Sequence, residues 1–256
     1  QAEDGIRDSV ASRGLGDVYK RQIIIGSSGA IGSSFLKYYE SENTDNIIYS
    51  LSRKSNSSQS DKVINVPIDI EDENSISSAS NFCKENGPFD LILVTTGILS
   101  DETISPEKSL RHFNKDSISK IFSINTFGPA LIAKYFVPLL KKDSPSFLGF
   151  LSARVGSISD NRIGGWYSYR ASKAALNMII KSLSIEVARN NPQSIIAGLH
   201  PGTVDSKLSK PFQGNVSEGK LFTPDYSVLK MVEVISNLKP ENSGNCFAWD
   251  GKEIEF

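Results

Sequence analysis

The sequence predicts a three-layer α/β fold built on a doubly wound parallel sheet in a single domain, and two observations predict it. Apolar runs at 23–25, 46–51, 63–67, 91–94, 147–151, 195–199 and 246–249 are continuous, as in strands buried on both faces. Between them lie segments of helical period at 32–40, 75–85, 116–141, 168–190 and 224–238, and helices joining parallel strands must cover the sheet faces. The last has the clearest start, with Thr223 as N-cap and Pro224 at the first helical position. No internal repeat or linker divides the chain, although 52–60 is a polar loop. Residues 1–22 hold no starting Met, no apolar run of signal-peptide type and no sustained period. They are expected to be a non-native or disordered extension, with the domain over 23–256.

Composition removes several function classes. Lys and Arg total 28 against 29 Asp and Glu, a net charge of −1, so no basic excess points to nucleic acid or an anionic membrane. Cys83 and Cys246 are too few for a disulfide framework, and with only His112 and His200 beside them no metal site is expected. The most apolar stretch, 131–140, is broken by Lys134 and Pro138 and is too short to span a membrane. A cytoplasmic location follows as the expectation.

Directly after the first strand comes Gly26-Ser27-Ser28-Gly29-Ala30-Ile31-Gly32, opening a helix. Glycine there permits a tight bend and lets a pyrophosphate approach the free N–H groups of the helix start. The spacing alone also fits a plain strand-to-helix turn; its place after the first strand gives it weight. An NAD site usually ends the second strand with an acid for the ribose 2′-hydroxyl. Here the chain runs Ser52-Arg53-Lys54, so Arg53 reads as the partner of a 2′-phosphate and the cofactor as NADP(H). The other reading is a solvated basic loop. Asp69-Ile70 after the third strand would border the adenine, and Thr95-Thr96-Gly97 after the fourth offers a close backbone path.

Tyr169-Arg170-Ala171-Ser172-Lys173 places Tyr169 and Lys173 on one helix face, able to act on a common point. A Tyr with a pKa of about 10 shuttles protons poorly at neutral pH, and bringing it to ~7 takes roughly 4 kcal/mol of anion stabilisation. Lys173 and a cationic nicotinamide are the expected sources.

With GSSGAIG (26–32), TTGIL (95–99), NTFG (125–128), SARVGSISDN (152–161), YRASKAALN (169–177) and HPGTVDS (200–206) in this order, the chain resembles the short-chain dehydrogenase/reductase family. Within it the chain is most similar to the C-factor-like and carbonyl-reductase-like branch. The resemblance implies a Rossmann-type fold with Tyr169 as general acid/base and Lys173 holding the ribose. It implies that Asn125 holds a water in a proton relay, that a Ser polarises the carbonyl, and that Pro201, Gly202, Thr203 and Val204 border the nicotinamide. The pattern departs from the family in three places. Ala30 stands where a Gly is usual, Thr95-Thr96-Gly97 replaces NNAG, and the usual Ser position holds Ala153. Ser152 and Ser157 remain as candidates, and Ser152 is favoured because a strand terminus fixes a donor better than a Gly-flanked turn.

The expected activity is hydride transfer between NADP(H) and a small-molecule carbonyl or secondary alcohol, with a substrate loop at about 205–222. The rival is a non-catalytic NAD(P)-binding signalling or regulatory protein. A homodimer or homotetramer is expected through segments 116–141 and 168–190, with Phe122, Phe127, Leu176 and Ile180 as surplus apolar surface.

Overall fold

The computed structural model describes residues 21–42, 45–55, 58 and 60–256. Its strands are β1 (Arg21–Ile25), β2 (Ile47–Ser52), β3 (Val63–Pro67), β4 (Leu91–Val94), β5 (Ser146–Leu151), β6 (Ser194–His200), β7 (Thr203–Val204), β8 (Leu221–Phe222), β9 (Cys246–Ala248) and β10 (Glu253–Ile254). The helices are α1 (Ala30–Ser41), α2 (Glu73–Lys84), α3 (Lys115–Phe122), α4 (Gly128–Phe136), α5 (Tyr167–Ala188) and α6 (Pro224–Asn237). Eight strands form the main sheet in the order β10-β9-β6-β5-β4-β1-β2-β3, while β7 and β8 pair apart from it. All pairs in the main sheet are parallel except β9 with β10. The strand order reverses between β1 and β4, and the crevice at such a reversal is where open α/β sheets bind ligands.

Why the strands read as continuous runs is now visible. Ile23, Ile24 and Ile25 of the central strand are all fully buried, because helices cover both faces. Ile23 and Ile25 pack with residues of α2, α4 and α5, such as Ile76, Phe136 and Leu176. Ile24 packs on the opposite face with Phe35 of α1 and Met231 of α6. Thr223 caps α6 as expected, its hydroxyl accepting from the Tyr226 N–H at 3.2 Å.

Four expectations need correction. First, β1 begins at Arg21, two residues inside the segment set apart as an extension. Gln22 is fully buried there and donates to Asn46 Oδ1 at 3.2 Å. Residues 1–20, and 56, 57 and 59 of the polar loop, lie outside the described residues. Second, the helix expected over 116–141 is broken. Pro129 lacks an N–H and its ring clashes with the carbonyl four residues back, so a π turn (Ser123–Phe127) intervenes between α3 and α4. Third, Leu176 and Ile180 belong to the core at 1% exposure each and leave nothing for a subunit contact. Fourth, the seven expected strands omit β7, β8 and β10, which at two residues each are too short for any periodic signal.

Candidate active site

The turn after β1 packs against itself. Gly26 has φ +88°, in the left-handed region that favours glycine, and a Cβ on it would lie 2.8 Å from Thr95 Oγ1. A Cβ on Gly32 would lie 2.2 Å from the Gly26 carbonyl oxygen, so no side chain fits at either position. Helix α1 starts at Ala30 with no side-chain cap, which leaves its first N–H groups for an anion. A cleft of ≈260 Å³ opens beside the turn, lined by Gly26, Ser28, Gly29, Ser52, Arg53, Asp69, Ile70, Thr95, Thr96 and Gly97 among others. Arg53 is exposed and forms no ion pair among the described residues. The Thr96 hydroxyl is buried here without a hydrogen-bond partner.

At Gly97 the cleft meets α5. A Cβ on Gly97 would lie 3.6 Å from both Asn125 Oδ1 and Lys173 Nζ. Asn125, turned inward by the π turn and fully buried, grips the backbone of Ile98. Its Oδ1 accepts from the Ile98 N–H at 2.8 Å and its Nδ2 donates to the Ile98 carbonyl at 2.8 Å and to Ser172 Oγ at 3.1 Å. Lys173 Nζ donates to the Leu151 carbonyl at 2.8 Å and stands 5.9 Å from the Tyr169 ring centre. Both side chains are buried. Burial pushes the Tyr169 phenol up to about 12 and the Lys173 ammonium down to about 8. In the protein without its cofactor, burial sets the direction for Tyr169, and that direction is upward.

Tyr169 also faces an apolar wall. It clusters with Leu99 and Ala153, and against these pack Val155, Trp166, Leu208 and Phe212. The Trp166 ring meets Tyr169 edge-on at 6.2 Å and Phe212 at 5.1 Å. Phe212 sits in a 3₁₀ turn (Lys210–Asn215), inside the segment expected to cover substrate.

A family model for short chain dehydrogenases matches residues 20–216. The chain belongs to that family of oxidoreductases. The C-signal protein of Myxococcus xanthus is 31% identical over 178 residues, 70% of this chain and 98% of that protein. The 1-hydroxy-2-glutathionyl-2-methyl-3-butene dehydrogenase of Rhodococcus sp. (strain AD45) is 26% identical over 91% of this chain and 98% of its own. Two solved structures share the fold. NADPH-bound carbonyl reductase from chicken fatty liver has a TM-score of 0.79 at 23% identity, covering 93% of this chain and 99% of that one. Carbonyl reductase Sniffer of D. melanogaster has a TM-score of 0.80 at 20% identity, covering 93% and 100%.

Within this short chain dehydrogenase, Tyr169, Lys173 and Asn125 gather at one end of the cleft, and Ser152 does not join them. Its hydroxyl donates to Asn177 Oδ1 of α5 at 2.6 Å. Alternation at the end of β5 is the cause. Ser152 points to the α5 side, as Phe150 does, and the next residue, Ala153, meets Tyr169. Ser157, the other candidate, accepts from the Asp160 N–H at 3.1 Å in its own turn. Ser27 and Gly32 are buried beneath the glycine turn, and Ala30 and Ile31 form the start of α1. Pro201 to Val204 follow β6 outside the cleft lining. The Pro201 carbonyl accepts from Ser227 Oγ at 2.7 Å, a Cβ on Gly202 would lie 2.6 Å from the Phe222 ring, and Thr203–Val204 form β7. The cleft adds Ile68, Glu71, Ile98 and Ile124, which sequence reasoning did not single out, although each adjoins a residue that it did.

Proposed function

We propose that the chain is an NADP(H)-dependent carbonyl reductase in which Tyr169 supplies the proton. The observation that carries this reading is the burial of Tyr169 and Lys173 one turn apart on α5, where the glycine-built cleft ends at Gly97. The cleft suits the cofactor: its wall at Gly26 admits no side chain, Thr96 offers an unpaired hydroxyl, and α1 offers uncapped N–H groups. Arg53, at the end of β2 where no carboxylate stands, is the proposed partner of the 2′-phosphate. The fold shared with the NADPH-bound chicken enzyme supports the same choice.

When bound, the reduced nicotinamide supplies the hydride. The protein's own part is to orient, to exclude water and to deliver a proton. Lys173, anchored on the Leu151 carbonyl, is placed to hold the ribose, and Asn125 keeps Ile98 and Gly97 fixed beside it. The Tyr169 phenol, neutral at pH 7, donates to the developing alkoxide oxygen. Ala153, which meets Tyr169 at the end of β5, carries no hydroxyl, and Ser152 is committed to Asn177. The reading therefore withdraws Ser152 from polarising the carbonyl. Tyr169→Phe should keep NADPH affinity and lose about 10²–10⁴-fold in turnover. Retention of a tenth of the wild-type rate would assign the proton to another group.

A homodimer or homotetramer is proposed through α4 and α5. Between them lies a groove of ≈480 Å³ lined by Ala133, Lys134, Met178, Ile179, Leu183 and Glu186 among others, and Phe127, Met178 and Ile185 are exposed beside it. Light scattering at micromolar concentration should return a multiple of the 28.0 kDa chain. A cytoplasmic location remains part of the proposal; no helix of the described residues is long and apolar enough to cross a membrane.

A further inference from the structure

We propose that Trp166 is the specificity-determining wall of the substrate pocket and that Glu107 is the positioning residue that holds it there. The proposal rests on the reading of Tyr169 as proton donor. Trp166 has φ 51°, and among the described residues it is the one non-glycine residue with positive φ. A bulky side chain in the left-handed region is strained and persists only where its surroundings over-determine it. Here they do. The Trp166 N–H donates to the Glu107 carbonyl at 2.6 Å, and Gly164 and Gly165 before it also have positive φ, which curls the chain into the start of α5.

Helix α5 has no side-chain cap of its own, and Glu107 supplies one from the loop after β4. Its carboxylate, 2% exposed, accepts the Ser168 hydroxyl on Oε1 and the Ser168 N–H on Oε2 at 3.2 Å. A buried carboxylate needs such partners, and a helix N-terminus is where the backbone dipole favours an anion. One residue thus fixes, through its backbone, the residue before α5 and, through its side chain, the first turn that carries Tyr169. The indole is left edge-on to Tyr169 and to Phe212 of the covering loop, flanked by Leu99, Val155 and Leu208. The side chains of that cluster are apolar. The cluster fits a flat, apolar carbonyl compound, an aryl aldehyde or ketone, better than a short aliphatic or charged one.

The test uses the full chain with NADPH, and compares wild type, Trp166→Ala, Glu107→Ala and Glu107→Gln. For reduction of benzaldehyde against propanal, Trp166→Ala should lower the kcat/KM ratio about tenfold. NADPH affinity should be unchanged. Glu107→Ala should reproduce that loss of ratio, and Glu107→Gln, which keeps an acceptor for Ser168, should restore at least half of it. A second readout needs no turnover. In a Trp249→Phe background, where Trp166 is the remaining indole, benzyl alcohol with NADPH should quench the emission, and Glu107→Ala should weaken that binding about tenfold. Equal losses on both aldehydes, or benzyl alcohol affinity that ignores Glu107, would overturn the proposal. Absence of turnover in wild type would overturn the reductase reading instead, and the emission titration would still decide the role of Trp166.

Discussion

The cleft at Gly26 takes its shape from backbone, whereas the wall at Tyr169 takes its shape from side chains that separate loops deliver. Gly26, Gly32 and Gly97 shape the first by having no Cβ, and Thr95 fits against them from the neighbouring strand. The second is assembled from Leu99 after β4, Ala153 and Val155 after β5, Trp166 before α5, and Leu208 and Phe212 after β7. A surface made of backbone tolerates few substitutions. A surface made of loop side chains can be rebuilt one residue at a time, and Ala153 is one such side chain.

The sharpest way to break the contrast is to give the wall a hydroxyl. Ala153→Ser should place a donor beside Tyr169, and a donor aimed at the developing oxyanion is worth about 10²–10³ in rate. A rise in single-turnover rate toward that range is expected. Ser152→Ala should change the rate under about tenfold. It should instead lower stability by about 1 kcal/mol, since Asn177 loses its hydroxyl partner. A large rate loss in Ser152→Ala would return the role to that residue.

Next in size is the cleft. Gly32→Ala puts a methyl group 2.2 Å from the Gly26 carbonyl. Overpacking of this kind costs about 1–3 kcal/mol of stability, and the displaced turn should weaken NADPH binding in a fluorescence titration. Unaltered affinity would show that the turn is not the cofactor's seat.

This difference in material also decides what was legible. Ile23 to Ile25 announced a doubly covered strand because both faces of β1 are buried. The turn at Gly26 and the spacing of Tyr169 and Lys173 are local patterns, so the sequence carries them whole. Ser152 turns to Asn177 rather than to Tyr169 because one step along the end of β5 exchanges the α5 face for the site, and nothing in a short apolar run says where the alternation stands there. Trp166 stands three positions before Tyr169 in the sequence. Its left-handed backbone and its tie to Glu107 join residues 59 positions apart by number, and no local pattern holds them. The polar Gln22 hid the start of β1, since its burial depends on Asn46 across the sheet.

Smaller effects refine the cofactor side. Arg53→Asp should cost about 1–2 kcal/mol in NADPH binding, an exposed pair being screened, and abolish the expected 5- to 30-fold preference over NADH. Equal affinity of wild type for both would remove Arg53 from the account. At the end of β6, burial pushes His200 down to about 4 from 6.5, and its Nδ1 has no partner among the described residues. The unfolded chain then binds more protons than the folded one between those values, so stability falls as pH drops from 6.5 to 4. Because the residue is partly exposed, the change is about 1 kcal/mol, and His200→Gln should flatten it in urea titrations at the two pH values.

The central claim is that both regions serve one reaction. Single-turnover mixing of the wild-type protein and NADPH with a panel of aldehydes, ketones and diketones tests it directly. The account predicts loss of the reduced-nicotinamide absorbance on carbonyl compounds with apolar substituents, with the alcohol as product. Tight NADPH binding with no oxidation on any member of the panel would contradict it and leave a cofactor-binding protein that does not turn over.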